Sequence, residues 1–254
     1  VWAWRGVGGG GDLAWRRGDL TRPKKQSTPH PRRPLPRQFA ALADPTLAYS
    51  FTYPVASGGV SLTLVPSRRP ERYSSAAPLS ADARQRIVAE LVDLKAAVTV
   101  SVTVGPPPPA GPLADAGTPP AAWPPRAVAD AVLVDRSTAR TTAGQRLALA
   151  TVESVEAVPG FAGGEGVAWL YQHAAQGSPS SRTASKESYR RAWALTAVRK
   201  GKNGAPYLFT LNLACPQDLW PALGPAFKAA ALSFALDAPT DAYVAPDQDP
   251  WRFF

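Results

Sequence analysis

Valine occupies positions 98, 100, 102 and 104, with Thr99, Ser101 and Thr103 between them. That alternation predicts a half-buried strand, closed by the proline run 106–109, which cannot donate to a ladder. Upstream, Tyr49-Ser50-Phe51-Thr52-Tyr53 and Val60-Ser61-Leu62-Thr63-Leu64 alternate in the same way around Ser57-Gly58-Gly59 and read as two short strands. The period then changes: Ile87, Leu91 and Leu94 recur on one face behind Ser80, a good N-cap, so the spacing predicts a helix over 80–95. Thr118-Pro119 has the form of an N-cap followed by proline at the first helical position, and Pro124-Pro125 delays the regular turns to 125–134.

Four strands dominate the second half, over 145–155, 167–176, 189–199 and 206–213. Pro159 to Gly166, the Ser-rich stretch 177–188 and Gly201-Lys202-Asn203-Gly204 separate them as turn signals. Consecutive strands with such short links pair antiparallel, as a meander. In the last of them Tyr207, Phe209, Leu211 and Leu213 share a face, while Thr210 and Asn212 take the other. A helical stretch over 218–234 follows, interrupted at Pro221 and Gly224-Pro225, with Leu219, Trp220, Leu223, Phe227, Ala231 and Phe234 as its apolar set. Strands with helices grouped before and after them predict an α+β fold, a central, largely antiparallel sheet sandwiched by helices, with extended tails at both ends.

Composition adds a boundary. Apolar residues make up 45% of the 254, with 8 Trp, 8 Phe and 7 Tyr, which excludes wholesale disorder and a fibrous repeat. The net charge of +9 is unevenly placed: residues 1–43 hold nine basic and two acidic groups, so +7 of it lies there and +2 in the rest. This leading segment carries a Gly run and five prolines but no periodic apolar face. It therefore reads as a basic, Gly/Pro-rich arm (1–43), disordered alone and able to extend about 140 Å over a partner. The folded domain is expected over 44–237 and an extended tail over 238–254. No Met occurs, even at position 1, which leads to the expectation that a targeting segment or the true start has been lost. The longest apolar run, 226–236, is broken by Lys228 and far short of a membrane span, so a soluble or peripheral protein is expected.

Little in the chain has the form of catalytic chemistry. Gly6 to Gly11 satisfies G-x-G-x-x-G, but no strand precedes it and no helix pattern follows, so it is a chance match in a glycine run. His30 lies in the proline-rich arm and His173 on a predicted strand, and no nucleophile signature surrounds Cys215 or any serine. Cys215, the single cysteine, reads as a buried, inert thiol. Glu153/Glu156 and Asp247/Asp249 read as solvated charges, with a weak cation site as the other option. What remains is surface chemistry. Basic residues interleaved with tryptophan suit nucleic acid, anionic lipid or acidic protein. A nucleic-acid reader would show a basic stripe on its folded domain, and the near-neutral domain argues against one. Aromatic and arginine side chains are the usual anchors of protein interfaces. The candidate partner-binding residues are therefore Trp2, Trp4, Trp15, Arg16, Arg17, Lys24, Lys25, Arg32 and Arg33 in the arm, with Trp251, Arg252, Phe253 and Phe254 in the tail. The arm also admits a plainer reading, the leftover of an unprocessed precursor.

Taken in order, Tyr-x-Phe-x-Tyr-Pro (49–54), the valine strand (98–104), Leu-x-Asp-x-Gly-x-Pro (113–119), the four-strand meander, Tyr-Leu-Phe-Thr-Leu (207–211), Trp220 and Ser-Phe (233–234) form a recognisable series. Over about residues 45–237 it resembles the PsbP family, extrinsic proteins of the thylakoid lumen. The resemblance implies a non-enzymatic, lumenal chloroplast protein, peripheral to the thylakoid membrane. Such a protein would bind photosystem II as an accessory subunit or as an assembly or repair factor. The same role at photosystem I or another thylakoid complex is the alternative. No catalytic residue, metal, cofactor or nucleic acid is implied. Val55-Ala56-Ser57 stands where the family carries an aromatic, the predicted helix at 80–95 stands as an insertion, and the arm and terminal Pro-Trp-Arg-Phe-Phe are additions. These departures fit a specialised relative better than the founding oxygen-evolving subunit.

Overall fold

The alternating segments of the sequence become strands, and most of them join one sheet. The computed structural model describes residues 38–67, 85–115, 117–142, 147–177 and 188–248. In chain order the elements are β1 (Phe39–Asp44), β2 (Tyr49–Pro54), β3 (Ala56–Ser57), β4 (Val60–Ser61), β5 (Val65–Pro66), β6 (Arg86–Asp93) and β7 (Val98–Gly105). A 3-10 turn (Pro120–Ala122), α1 (Pro125–Thr142), β8 (Leu147–Val158), β9 (Ala168–Gly177), β10 (Ser188–Lys200) and β11 (Pro206–Pro216) follow, and then a second 3-10 turn (Gln217–Leu219), α2 (Trp220–Leu232) and β12 (Ala235–Leu236). Seven strands pair antiparallel in the order β5-β6-β7-β11-β10-β9-β8, so the expected meander is present and is continued by β7 and β6. A separate three-stranded sheet has the order β1-β2-β12.

Three expectations change. Residues 86–93 form a strand, not the predicted helix, pairing Leu91 with Val100 and Asp93 with Val98. Ile87 and Leu91 satisfy both periods. The choice falls to β-branched Val88 and Val92, to the open edge of β7, and to a tight turn that Asp93 builds. One Asp93 oxygen accepts the N–H groups of Lys95 (2.9 Å) and Ala96 (2.9 Å), and the other accepts the Thr63 N–H at 2.7 Å. The presumed insertion is thus an inner strand. Secondly, β1 lies inside the stretch assigned to the arm; it pairs with β2, Leu42 opposite Phe51, so the fold is already formed by Phe39. Thirdly, residues 243–247 dock on the body, with the Val244 N–H on the Thr46 carbonyl at 2.9 Å and Ala245 buried. Other differences are smaller. The 60–64 strand shrinks to β4, with β5 beyond it, and α1 runs on past 134 to Thr142. Pro225 sits inside α2 without ending it, while Pro221 occupies the first turn, where no N–H partner is lost.

The core lies on both faces of the large sheet. Leu195, Ala197, Phe209, Leu211 and Leu213 point one way, toward Leu223, Phe227, Ala230 and Ala231 of α2 and Tyr49 and Phe51 of β2. Val198 and Leu208 point the other way, with Trp169, toward Trp123, Val128 and Val132. The indoles of Trp123 and Trp169 stack at 6.1 Å. Helix thus covers each face only in part, and the three-stranded sheet shares the α2 side. Because β7 is an inner strand, its polar face is buried too: Ser101 and Thr103 are 3% and 1% exposed, where a half-buried strand was expected.

Phe209 is fully buried, and Phe209→Ala is expected to cost about 3–5 kcal/mol in urea unfolding. Trp220 is only half-buried, stacked on Trp193 at 6.4 Å, so Trp220→Ala is expected to cost less, about 1–2 kcal/mol. The amides of Ala96 and Thr63 hold the Asp93 carboxyl below its ordinary value of 3.8, Lys95 adds to this, and burial opposes it. The contribution of Asp93 is therefore complete above that ordinary value and is lost as pH falls through the depressed folded one. The melting-temperature gap between wild type and Asp93→Asn is expected to be widest at pH values well above the ordinary carboxyl value and to narrow progressively as the pH falls below it.

Candidate interaction site

β10 carries Leu195 and Ala197 into the α2 side of the core, and the next residue on that face is Arg199. It is 7% exposed. A buried cation needs partners on every side. Nη1 of Arg199 donates to the carbonyls of Leu47 (2.9 Å) and Ala48 (3.0 Å), in the turn between β1 and β2, and Nη2 donates to the carbonyl of Asp237 after β12. The guanidinium also lies over the rings of Phe209 (5.7 Å) and Tyr243 (5.4 Å). Burial pushes its pKa down while Tyr243 and Asp237 push it back up; arginine stays charged throughout. One side chain therefore ties together the large sheet, the small sheet and the C-terminal segment.

Beside it the loop after β8 closes on β12. A Cβ on Gly163 would sit 1.9 Å from the Leu236 carbonyl oxygen, and one on Gly164 2.1 Å from that of Val198; both have positive φ, so only glycine fits. Lys200 pairs with Glu165 across this loop at 2.9 Å. These residues, with Ala162, residues 235–239 and Tyr243, line a cleft of about 650 Å³. At its rim, the Asp247 carboxylate accepts the N–H of Lys202 (2.9 Å) and of Asn203 (2.8 Å) at the turn between β10 and β11.

The titratable residues singled out in the sequence prove to be engaged elsewhere. His173 reaches diagonally past Ala192 and Ala194 of β10, whose small side chains leave room, and shares a 2.7 Å hydrogen bond with Asn212. Next to this pair, the hydroxyls of Tyr171, Thr196 and Thr210 connect at 3.1 and 2.8 Å. They pair the hydroxyl, amide and imidazole groups that β9, β10 and β11 bury on this face. Cys215 is buried, with its pKa pushed up to about 11, so the thiol stays protonated at neutral pH. Glu153 binds Arg191 at 2.8 Å and also accepts from Gln172, whereas Glu156 pairs with Lys228 at 3.3 Å, so the two carboxylates face separate cations. Lys228 also lies 4.9 Å over the Trp193 ring. Among the described residues no three His, Cys, Asp or Glu side chains group as a metal site, and no helix is long and apolar enough to cross a membrane. The arm residues from Trp2 to Arg33 and the tail residues Trp251, Arg252, Phe253 and Phe254 lie outside the described residues. So do His30 and Asp249.

Sequence reasoning missed Arg199, because its partners lie more than 150 residues upstream or dozens downstream and leave no local signature. Asp247 was visible only as half of an acidic pair in a tail.

The described residues form a mostly antiparallel sheet in which His173, Cys215, Glu153 and Glu156 sit in structural contacts. No family model matches the sequence. The chain is 39% identical, over 219 residues, to the PsbP domain-containing protein 5, chloroplastic, of Arabidopsis thaliana, a match that covers 85% of this chain and 70% of that protein. This chain belongs to the PsbP-domain family. The solution structure of cyanobacterial PsbP (CyanoP) from Synechocystis sp. PCC 6803 aligns with a TM-score of 0.43 and 18% identity, covering 78% of this chain and 92% of that one.

Replacing Arg199 by Met keeps much of its length and removes every donor to three carbonyls. Arg199→Met is expected to destabilise the fold by about 3 kcal/mol or more, since hydrogen bonds from charged groups contribute about 1.5–3 kcal/mol each. Calorimetry would read this as a melting temperature lower by roughly 6–12 °C.

Proposed function

We propose that this protein acts in the chloroplast, in the thylakoid lumen, as a non-enzymatic PsbP-type accessory protein. It binds photosystem II at the lumenal membrane surface, as an extrinsic subunit or as an assembly or repair factor. Membership of the PsbP-domain family supports the general class. The observation that carries the docking mode is the partition of charge. Residues 1–43 hold +7 of the net charge of +9 and the rest of the chain only +2, so the positive charge is concentrated in the arm. A basic segment with Trp2, Trp4 and Trp15, joined to a near-neutral body, suits an acidic protein surface. Its arginines and lysines speed encounter, and its indoles bury apolar area.

Isolation from mildly solubilised thylakoids followed by native electrophoresis is expected to recover the chain with photosystem II. Recovery with photosystem I would transfer the role to that complex. Binding is expected to weaken at about 1 M salt, where the Debye length is about 3 Å, but to persist through the tryptophans. A variant with Trp2, Trp4 and Trp15 all changed to Ala is expected to be released by the same wash. Release of both at one ionic strength would leave a charge tether only. Because β1 belongs to the fold, deletion of residues 1–36 is expected to abolish docking with the melting temperature nearly unchanged. Deletion of 1–43 is expected to lower it by several degrees, roughly 2–4 °C for each kcal/mol lost with β1.

A further inference from the structure

We infer that the tip of the β10–β11 hairpin, with Arg199 behind it, is a binding site for a short acidic peptide segment of a partner protein, and that the chain's own residues 243–247 occupy it. The site has three points. Successive N–H groups of Lys202 and Asn203 converge on the two oxygens of the Asp247 carboxylate at 2.9 and 2.8 Å, an anion-binding nest of backbone amides. The nest is shaped to its guest: a Cβ on Gly201 would lie 2.5 Å from an Asp247 oxygen and 2.8 Å from the Tyr207 ring. Four residues before the carboxylate, the Tyr243 ring covers the Arg199 guanidinium at 5.4 Å. Between them the Val244 N–H donates to the Thr46 carbonyl at 2.9 Å.

The occupant is separable from the body. After Asp237, held by Ala48 and Arg199, residues 238–242 are exposed without interruption, so the docked stretch follows a solvent-facing linker. The ligand it represents is a short segment with an aromatic residue four positions before an aspartate, a backbone N–H available between them, and the aspartate in a turn, here closed by the Gln248 N–H on the Ala245 carbonyl at 2.8 Å. Lys200 and Lys202 flank the nest and favour a negative guest. A partner segment of that chemistry competes with Tyr243 and Asp247 for the same donors, and its binding releases the C-terminal segment. The cleft lined by Arg199, Lys200 and Tyr243 would then open along that side. This site is independent of the basic arm, and its failure would leave the arm-docking reading untouched.

The probe is a synthetic peptide of residues 240–248, added to isotope-labelled full-length chain and followed through the backbone amide signals of Lys202 and Asn203. In a chain carrying Tyr243→Ala and Asp247→Ala these signals are expected to shift and saturate, with an affinity at least about tenfold above that for wild type, whose site is already filled. A peptide with its aspartate at 247 replaced by Asn is expected to lose the effect. Circular dichroism checks the fold of the double variant; the single Asp247→Asn chain, which keeps Tyr243 on Arg199, serves for the same titration if the double variant unfolds. Unmoved Lys202 and Asn203 signals at saturating peptide, or equal affinity for wild type and vacated chain, would overturn the inference.

Discussion

A single guanidinium holds three separate parts of this molecule in register. Arg199 ends the apolar face of β10 and is the point where the β1–β2 turn, the exit from β12 and the Tyr243 ring all arrive. Its partners are carbonyls and rings, not a carboxylate. Carbonyl groups of buried turns need donors wherever they lie, and the five N–H groups of one arginine supply several at once. The closeness of Gly163 and Gly164 to the backbone of Leu236 and Val198 follows from the same convergence, since a loop with side chains could not approach β12 so nearly. The cleft beside Arg199 is what remains when three elements meet at one cation.

The other face of the sheet solves a different problem. Burying strands on both sides leaves the polar residues of their alternating pattern without water. Here Tyr171, Thr196 and Thr210 join through their hydroxyls across neighbouring strands, and His173 of β9 reaches over β10 to Asn212 of β11. Alanines at 192 and 194 provide the space. The histidine and the cysteine, the two residues that could have suggested catalysis, are thereby committed to packing. The C-terminal segment 243–247 lies on the same body, against Arg199 and the β10–β11 turn.

How much of this was legible in the chain depended on the range of the deciding contacts. β7 to β11 announced themselves because their alternation is long and their separators are unambiguous, and α2 because its apolar set recurs over several turns. The segment around Ile87 failed because Ile87 and Leu91 fit either period while Leu94 fits the helical one alone, and only the edge of β7 and the Asp93 turn select the strand. β1 failed because it follows a proline-rich arm and is only six residues long, half-exposed on an edge. The Ser-Phe at 233–234 was legible as a motif but not as a joint: the Ser233 hydroxyl accepts the Thr52 N–H at 2.8 Å and donates to Ala230 at 2.7 Å, tying the end of α2 to β2.

The sequence by itself determined the meander, the family series and the separation of a basic arm from a near-neutral body, because periodicity, motif order and charge are properties of neighbours along the chain. Only the tertiary structure decided where Arg199, Asp93, His173 and Asp247 find their partners. Each of those contacts, apart from the local half of the Asp93 turn, joins residues 30 to 152 positions apart. A hydrogen bond of that range is fixed by how strands stack and where turns end, and a side chain's own neighbours in sequence carry no record of it.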